Sequence, residues 1–174
     1  SKVKYNRKEV ILMNNNEFAI KTDIMRYKPS QLSFLFCVLA IVLNVAMFLI
    51  IYQETNCKSN YLLGIDLVIN VVFMLAVFLL SEKSKAYNLK AGYVALVMGL
   101  IEIGRIFFIP LYYHNKHLEY LKTEEGIIGL SNSQFYWCVG LMIAAAVCLF
   151  VAGIVTIIKS KRLTAHLANI SGKE

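Results

Sequence analysis

The chain has 174 residues, of which 58% are hydrophobic, a larger apolar share than a typical soluble domain has. Its formal net charge is +7, but the basic residues flank apolar stretches and no nucleic-acid-binding motif accompanies them, so nucleic acid is excluded as a partner. No catalytic, nucleotide or cofactor motif is recognisable. We therefore expect no enzymatic activity and no cofactor.

Residues 1–30 form a basic tail with seven Lys and Arg residues against three acidic ones. Two local structures compete for this tail. Residues 9–22 can form a hairpin, because the asparagines at 14–16 tolerate the left-handed conformation of tight turns. Alternatively, residues 17–27 form an interfacial helix that ends before Pro29. The apolar run at 10–13 is too short for a signal peptide, so we expect the first span to act as an uncleaved anchor.

Four apolar stretches follow, each close to the roughly 20 residues that cross the hydrocarbon core of a bilayer. Pro110 is expected to kink or end the third helix, and Ser131 or Ser133 to cap the fourth. The sequence therefore predicts an all-α integral membrane protein, a four-transmembrane-helix bundle that occupies residues 31–158. The predicted spans are residues 32–52, 61–80, 92–112 and 135–158.

Basic residues are distributed unevenly between the two sides of this bundle. Fourteen Lys and Arg residues lie in the N-terminal tail, in the loop at 81–90 and in a basic C-terminal tail at 159–174. The other two loops hold only Lys58, Lys116 and Lys122. Because positively charged loops remain in the cytoplasm, both termini are predicted to be cytoplasmic and to contact anionic lipids. Abundant Lys, Asn and Ile indicate an AT-rich genome and hence the cell membrane of a bacterium.

Five polar side chains lie inside the predicted spans, at depths from roughly 8 Å to roughly 15 Å below the outer end. Glu102 and Arg105 are three residues apart and share a helix face, as do Asp66 and Asn70, which are four apart. Charges in hydrocarbon are costly, so we expect these groups to be partnered. The predicted intramembrane polar cluster comprises Asn44, Asp66, Asn70, Glu102 and Arg105.

The cluster has two interpretations. Two carboxyl groups and one guanidinium leave one negative charge over, so one carboxyl is protonated or a cation or partner supplies the balance. A proton or ion site, or a polar substrate pocket, is one interpretation. The other is a buried charge pair that fixes helix register or meets another subunit, and buried pairs often have this role.

Small residues recur at every fourth position on two spans, which lets helix backbones approach closely. We predict these stripes to be helix-packing faces, either within the bundle or against a second protein. The residues are Ala91, Ala95 and Gly99 on the third span and Gly140, Ala144, Cys148 and Ala152 on the fourth.

The cysteines and histidines give no strong prediction of chemistry. Cys57 and Cys138 can form a bridge, but buried or free thiols are the default. His114 and His117 lie in the predicted outer loop, residues 114–134, with a spacing that can bind zinc on a helix. A second set of ligands is missing, so no metal site is predicted.

These observations favour a non-enzymatic integral membrane protein, a small subunit or accessory protein of a larger membrane assembly such as a transport complex. Its partners would be other membrane protein subunits, or copies of itself in a homo-oligomer. The alternative is a small ion- or proton-coupled transporter or channel in which Asp66, Glu102 and Arg105 lie along the path.

Overall fold

All regular structure in the described part of the chain is helical, as predicted. The computed structural model describes residues 31–54, 61–86, 88–123 and 129–171. Both alternatives for residues 1–30 therefore lie outside the described residues. The helices are α1 (Gln31–Glu54), α2 (Tyr61–Lys85), α3 (Leu89–Phe108), α4 (Pro110–Thr123) and α5 (Asn132–Ser171).

Within the described residues, four segments are long and apolar enough to cross a membrane, and each contains most of one predicted span. They are Gln31–Gln53, Gly64–Lys85, Leu89–Lys122 and Asn132–His166. The third and fourth exceed the roughly 20 residues that the hydrocarbon core requires. Apolar length therefore indicates where the long apolar helices lie but not where they end.

The connections are shorter than the sequence suggested. The predicted loop at 81–90 is mostly helical, because α2 continues to Lys85 and α3 begins at Leu89. Asn88 caps α3: its side-chain oxygen accepts a hydrogen bond of 3.0 Å from the Lys90 N–H. The predicted C-terminal tail is also helical as far as Ser171, since α5 runs for 40 residues, or about 60 Å.

Much of the predicted outer loop, residues 114–134, is helix α4. Helix α3 ends at Phe108, and Ile109 (φ −97°, ψ −71°) separates it from α4, which starts at Pro110. Proline lacks the N–H group that a continuous helix needs. Helix α5 then begins at Asn132. Its cap is Ser131, one of the two predicted caps, whose N–H donates to Gln134 Oε1 at 2.9 Å in the manner of a capping box.

The helices run up and down, so the contacts define two ends of the bundle. At one end, Lys85 Nζ at the end of α2 lies 3.8 Å from the ring centroid of Phe34 at the start of α1. This end holds the described Lys and Arg residues 83, 85, 90, 159, 161 and 162, and we call it the basic end. At the opposite end, Met47 and Ile51 pack with Ile109, Tyr113 and residues of α5.

A layer of apolar side chains fills the bundle between these two ends. It contains buried residues of α1, α2 and α5, and we call it the central apolar layer: Cys37, Ala40, Phe73, Val77, Ala145, Cys148, Leu149 and Ala152. Helix α3 joins the layer through Met98.

Helices α3 and α5 approach each other closely where two glycines face each other. A Cβ atom added at Gly153 would lie 2.9 Å from the Gly92 carbonyl oxygen and 2.8 Å from Leu96 Cδ2. A Cβ added at Gly92 would lie 3.1 Å from the Gly153 oxygen. Only glycine at both positions allows this backbone approach, which is typical of packing between membrane helices.

We expect Gly153→Ala to destabilise the bundle by about 1–3 kcal/mol, because the added methyl group must push α3 away from α5. Gly140→Ala on the same helix is the matched control. A Cβ at Gly140 would meet no atom within 4 Å, so this variant should be as stable as the wild type or slightly more stable. Thermal unfolding in detergent measures both, and equal stabilities would contradict the close approach.

Candidate functional site: a buried arginine network

Arg105 connects three helices inside the bundle. From α3, its Nη1 donates to Glu102 Oε2 at 2.6 Å on the same helix and to Asn44 Oδ1 at 3.0 Å on α1. Its Nη2 donates to Asn70 Oδ1 at 2.5 Å on α2. The planar guanidinium presents five donors in a fixed fork, so one side chain can hold several acceptors at once.

The network is shielded from solvent and lipid. The side chain of Glu102 is 0% exposed and that of Arg105 is 8% exposed, and both asparagines are buried. One face of the guanidinium is covered by Phe73, whose ring centroid lies 4.4 Å from Arg105 Cζ. The aromatic face attracts the cation and replaces water that would otherwise solvate it.

The amide of Asn44 is oriented by its own helix. Asn44 Nδ2 donates to the Ala40 carbonyl oxygen at 3.1 Å, which leaves Oδ1 to accept the bond from Arg105. An amide can donate and accept, whereas the guanidinium can only donate. The asparagines therefore supply acceptors to Arg105 without adding further negative charge to the apolar interior.

Two buried atoms of the ion pair make no hydrogen bond to the described residues: Glu102 Oε1 and Arg105 Nε. One is an acceptor and the other a donor, and they belong to side chains that already contact each other. Because the charges of Arg105 and Glu102 neutralise each other, the free-energy cost of burying them is reduced. The two unsatisfied atoms add to that cost.

Asp66, which the sequence grouped with the other four residues, makes its hydrogen bond to a different partner. Its Oδ2 accepts a 2.9 Å hydrogen bond from the Tyr113 hydroxyl of α4. Asp66 lies one helical turn from Asn70, nearer the opposite end, and is partly exposed. Four of the five predicted residues are thus directly linked, and the fifth ties α2 to α4.

Tyr113 is fully buried and is also held through its backbone. Its carbonyl oxygen accepts a 3.3 Å bond from the Leu130 N–H. A Cβ added at Gly129 would overlap that same oxygen, so the segment before α5 can approach only through a glycine. Tyr113 lies one position beyond the predicted third span, residues 92–112, so the sequence prediction did not place it inside the bundle.

A second interhelical contact that the sequence prediction missed lies near the basic end. Ser33 Oγ of α1 donates to the Ala152 carbonyl oxygen of α5 at 3.0 Å and lies 2.6 Å from Thr156 Oγ1. Thr156 Oγ1 donates to the same carbonyl at 2.8 Å. Ser and Thr are common in membrane helices, where they often bond within their own turn, so sequence alone does not indicate such a pair.

The predicted packing faces are only partly inside the bundle. Ala91, Ala95 and Gly99 on α3 are buried, as are Cys148 and Ala152 on α5. Gly140 and Ala144 are exposed instead. The stripe on α5 therefore turns from the bundle interior to its outer surface towards the opposite end.

The described cysteines are buried, and His114 is engaged in packing. Cys37, Cys138 and Cys148 are free and buried, while Cys57 lies outside the described residues. His114 stacks on Phe135 and its Nδ1 lies 3.1 Å from the Leu130 carbonyl oxygen. In the described part of the chain, no three His, Cys, Asp or Glu side chains are grouped so that they could hold a metal.

The chain matches no family model, no curated protein and no solved structure. Its function therefore has to be inferred from its own geometry.

Arg105→Leu is expected to lower the free energy of unfolding by about 3–5 kcal/mol, because it leaves the Glu102 carboxylate buried and unpaired. Adding Glu102→Leu should restore most of the loss, since a low-dielectric interior accepts both leucines. The single variant should suffer less at acid pH, where the stranded carboxylate can take up a proton. Unfolding in detergent at two pH values measures these effects.

The matched control is Lys116→Leu, which breaks an ion pair of the same spacing, Lys116 Nζ to Glu119 Oε2 at 2.6 Å, on the exposed surface of α4. Its effect should be small, because solvent screens exposed pairs. If the single Arg105 variant were no less stable than the double variant, Arg105 and Glu102 would not be energetic partners.

Proposed function

We propose that this chain is a non-enzymatic multi-pass membrane protein that serves as a small subunit or accessory protein of a larger membrane assembly, such as a transport complex. The observation that carries the proposal is that the hydrogen bonds of Arg105 are made to other helices of the bundle and to Glu102. The guanidinium bonds acceptors on α1, α2 and α3, so the polar groups of the interior hold the bundle together. Little of this chemistry is left to act on a substrate.

A surface for a partner is available on α5. Gly140 and Ala144 are four residues apart and both exposed, and the space above Gly140 is open. Two small residues at this spacing allow the backbone of another membrane helix to approach closely. On α3, the exposed positions four residues before and after Gly104 are Leu100 and Phe108, whose bulk prevents such an approach.

The experiment is affinity purification of the tagged chain from membranes in mild detergent. A stoichiometric heterologous membrane protein is expected with the wild type and should be lost with Gly140→Leu. Gly104→Leu is the matched control and should retain the partner, since both glycines have open space around them. Purification of the chain alone, or loss of the partner in both variants, would contradict the proposed surface.

The second candidate function is a small ion- or proton-coupled transporter or channel. One observation favours it: Glu102 Oε1 is buried with no hydrogen-bond partner among the described residues, and Asp66 adds a second carboxyl near the opposite end. A homo-oligomer in the same purification would support this candidate. So would a variant carrying both Arg105→Leu and Glu102→Leu that folds normally but loses all function.

We further propose that the chain lies in a bacterial cell membrane with both termini in the cytoplasm. The basic end supports this orientation, because positive charge is retained on the cytoplasmic side. In a background without other cysteines, Lys85→Cys should react with a membrane-impermeant maleimide only after cells are broken. Lys122→Cys at the opposite end should react in intact cells, and the reverse pattern would invert the orientation.

A further inference from the structure

We propose that the basic end of the bundle is a binding surface for the phosphate groups of anionic lipids, formed by Lys83, Lys90, Lys161 and Arg162. The inference rests on the proposed membrane location and adds a defined ligand and defined residues to it.

The four residues lie in one layer at the basic end, level with the last buried residues of α2 and α5, Ser84 and Ser160. Leu80 of α2 packs with Ala91 and Ala95 of α3, and Lys83 follows Leu80 by about 4.5 Å along the helix. Lys90 precedes Ala91 directly. The packing of these three apolar residues thus fixes the position of Lys83 and Lys90 along the bundle axis.

Helix α5 brings two more cations to this layer. Gly92 faces Gly153 and Ile157 across the α3–α5 contact. Lys161 follows Ile157 by about 6 Å in the direction of the basic end. Because α5 continues as a helix to Ser171, Lys161 and Arg162 are held on a rigid element rather than on a loose tail.

These four side chains are available for a ligand. All four are exposed, and none forms an ion pair with another described residue. Lys85 differs from them, because it is bonded to Glu82 at 2.8 Å and packs on the ring of Phe34. Glu82 is the one acidic residue against six Lys and Arg in the described part of this end, so the surface is strongly positive.

The occupant that fits this surface is a lipid phosphate. The charges are arranged around the end of apolar spans, where headgroups of the cytoplasmic leaflet lie, and each Lys or Arg at that level attracts anionic lipid. A nucleic acid would require a recognisable binding fold or a groove-reading helix. The described helices instead present apolar sides immediately next to the cations, as a bilayer boundary requires.

The test uses the full chain purified in a neutral detergent. Binding of phosphatidylglycerol and of phosphatidylcholine is measured by native mass spectrometry at low salt. The wild type should retain the anionic lipid in preference. Lys161→Gln with Arg162→Gln should weaken that retention by roughly fivefold for each charge removed, and adding Lys83→Gln and Lys90→Gln should weaken it further.

Two control variants make the result specific. Glu82→Gln with Lys85→Gln, at the same end, should retain the lipid because the paired residues are removed together and the net charge of the surface does not change. Lys116→Gln with Lys122→Gln, at the opposite end, should also retain it. Equal loss in the opposite-end variant, no effect of the four basic-end substitutions, or no preference for phosphatidylglycerol would each overturn the proposal.

Two further measurements separate this proposal from others. Tighter binding of single-stranded RNA than of phosphatidylglycerol would assign the surface to nucleic acid and overturn the lipid site. Alkaline extraction of membranes distinguishes failure of the lipid site from failure of the membrane proposal. If the chain stays in the membrane pellet but shows no lipid preference, the lipid site alone is contradicted. If the chain is released into the supernatant, the lipid site and the membrane location are both contradicted.

Discussion

An arginine inside an apolar bundle must have its charge and its donors satisfied by the protein, because hydrocarbon can do neither. This constraint accounts for much of what surrounds Arg105. Glu102 balances its charge from one turn away, two asparagines provide neutral acceptors from neighbouring helices, and Phe73 covers the cation. Each partner comes from a fixed position on a helix, so satisfying one side chain also fixes how α1, α2 and α3 are placed relative to each other.

The polar groups and the apolar groups occupy different levels of the bundle. The arginine network and the Asp66–Tyr113 bond lie towards the opposite end, whereas the central apolar layer separates them from the Ser33–Thr156 contact near the basic end. A pathway across the membrane would have to pass through this layer, where Phe73, Val77 and Leu149 are buried together. The arrangement therefore favours a structural role for the interior, with binding to other molecules at the outer surfaces and the two ends.

Much of the fold was accessible from the sequence because the length and hydropathy of a span are local properties. The pairing of Glu102 with Arg105 was also accessible, since a spacing of three residues on a helix places two side chains together. The contacts to Asn44 and Asn70 could be anticipated only in outline, because they depend on how the helices rotate about their axes. The hydrogen bond of Asp66 could not be anticipated for the same reason: Asp66 shares a helix face with Asn70, but its partner is Tyr113, which lies in α4 after the end of α3.

The lengths of the helices could not be read from hydropathy, because a helix continues past the membrane wherever the local sequence permits it. Residues 159–171 contain no proline or glycine, so α5 extends through the predicted basic tail. Because of this extension, the positive charges of residues 159–162 are carried by a helix and not by a flexible tail. A flexible basic tail would only bias orientation, whereas Lys161 and Arg162 lie on a helix that packs against α3 at Gly92 and Gly153, at the same end of the bundle as Lys90. The close packing of two glycines within the bundle thus determines the geometry of a charged surface at its end.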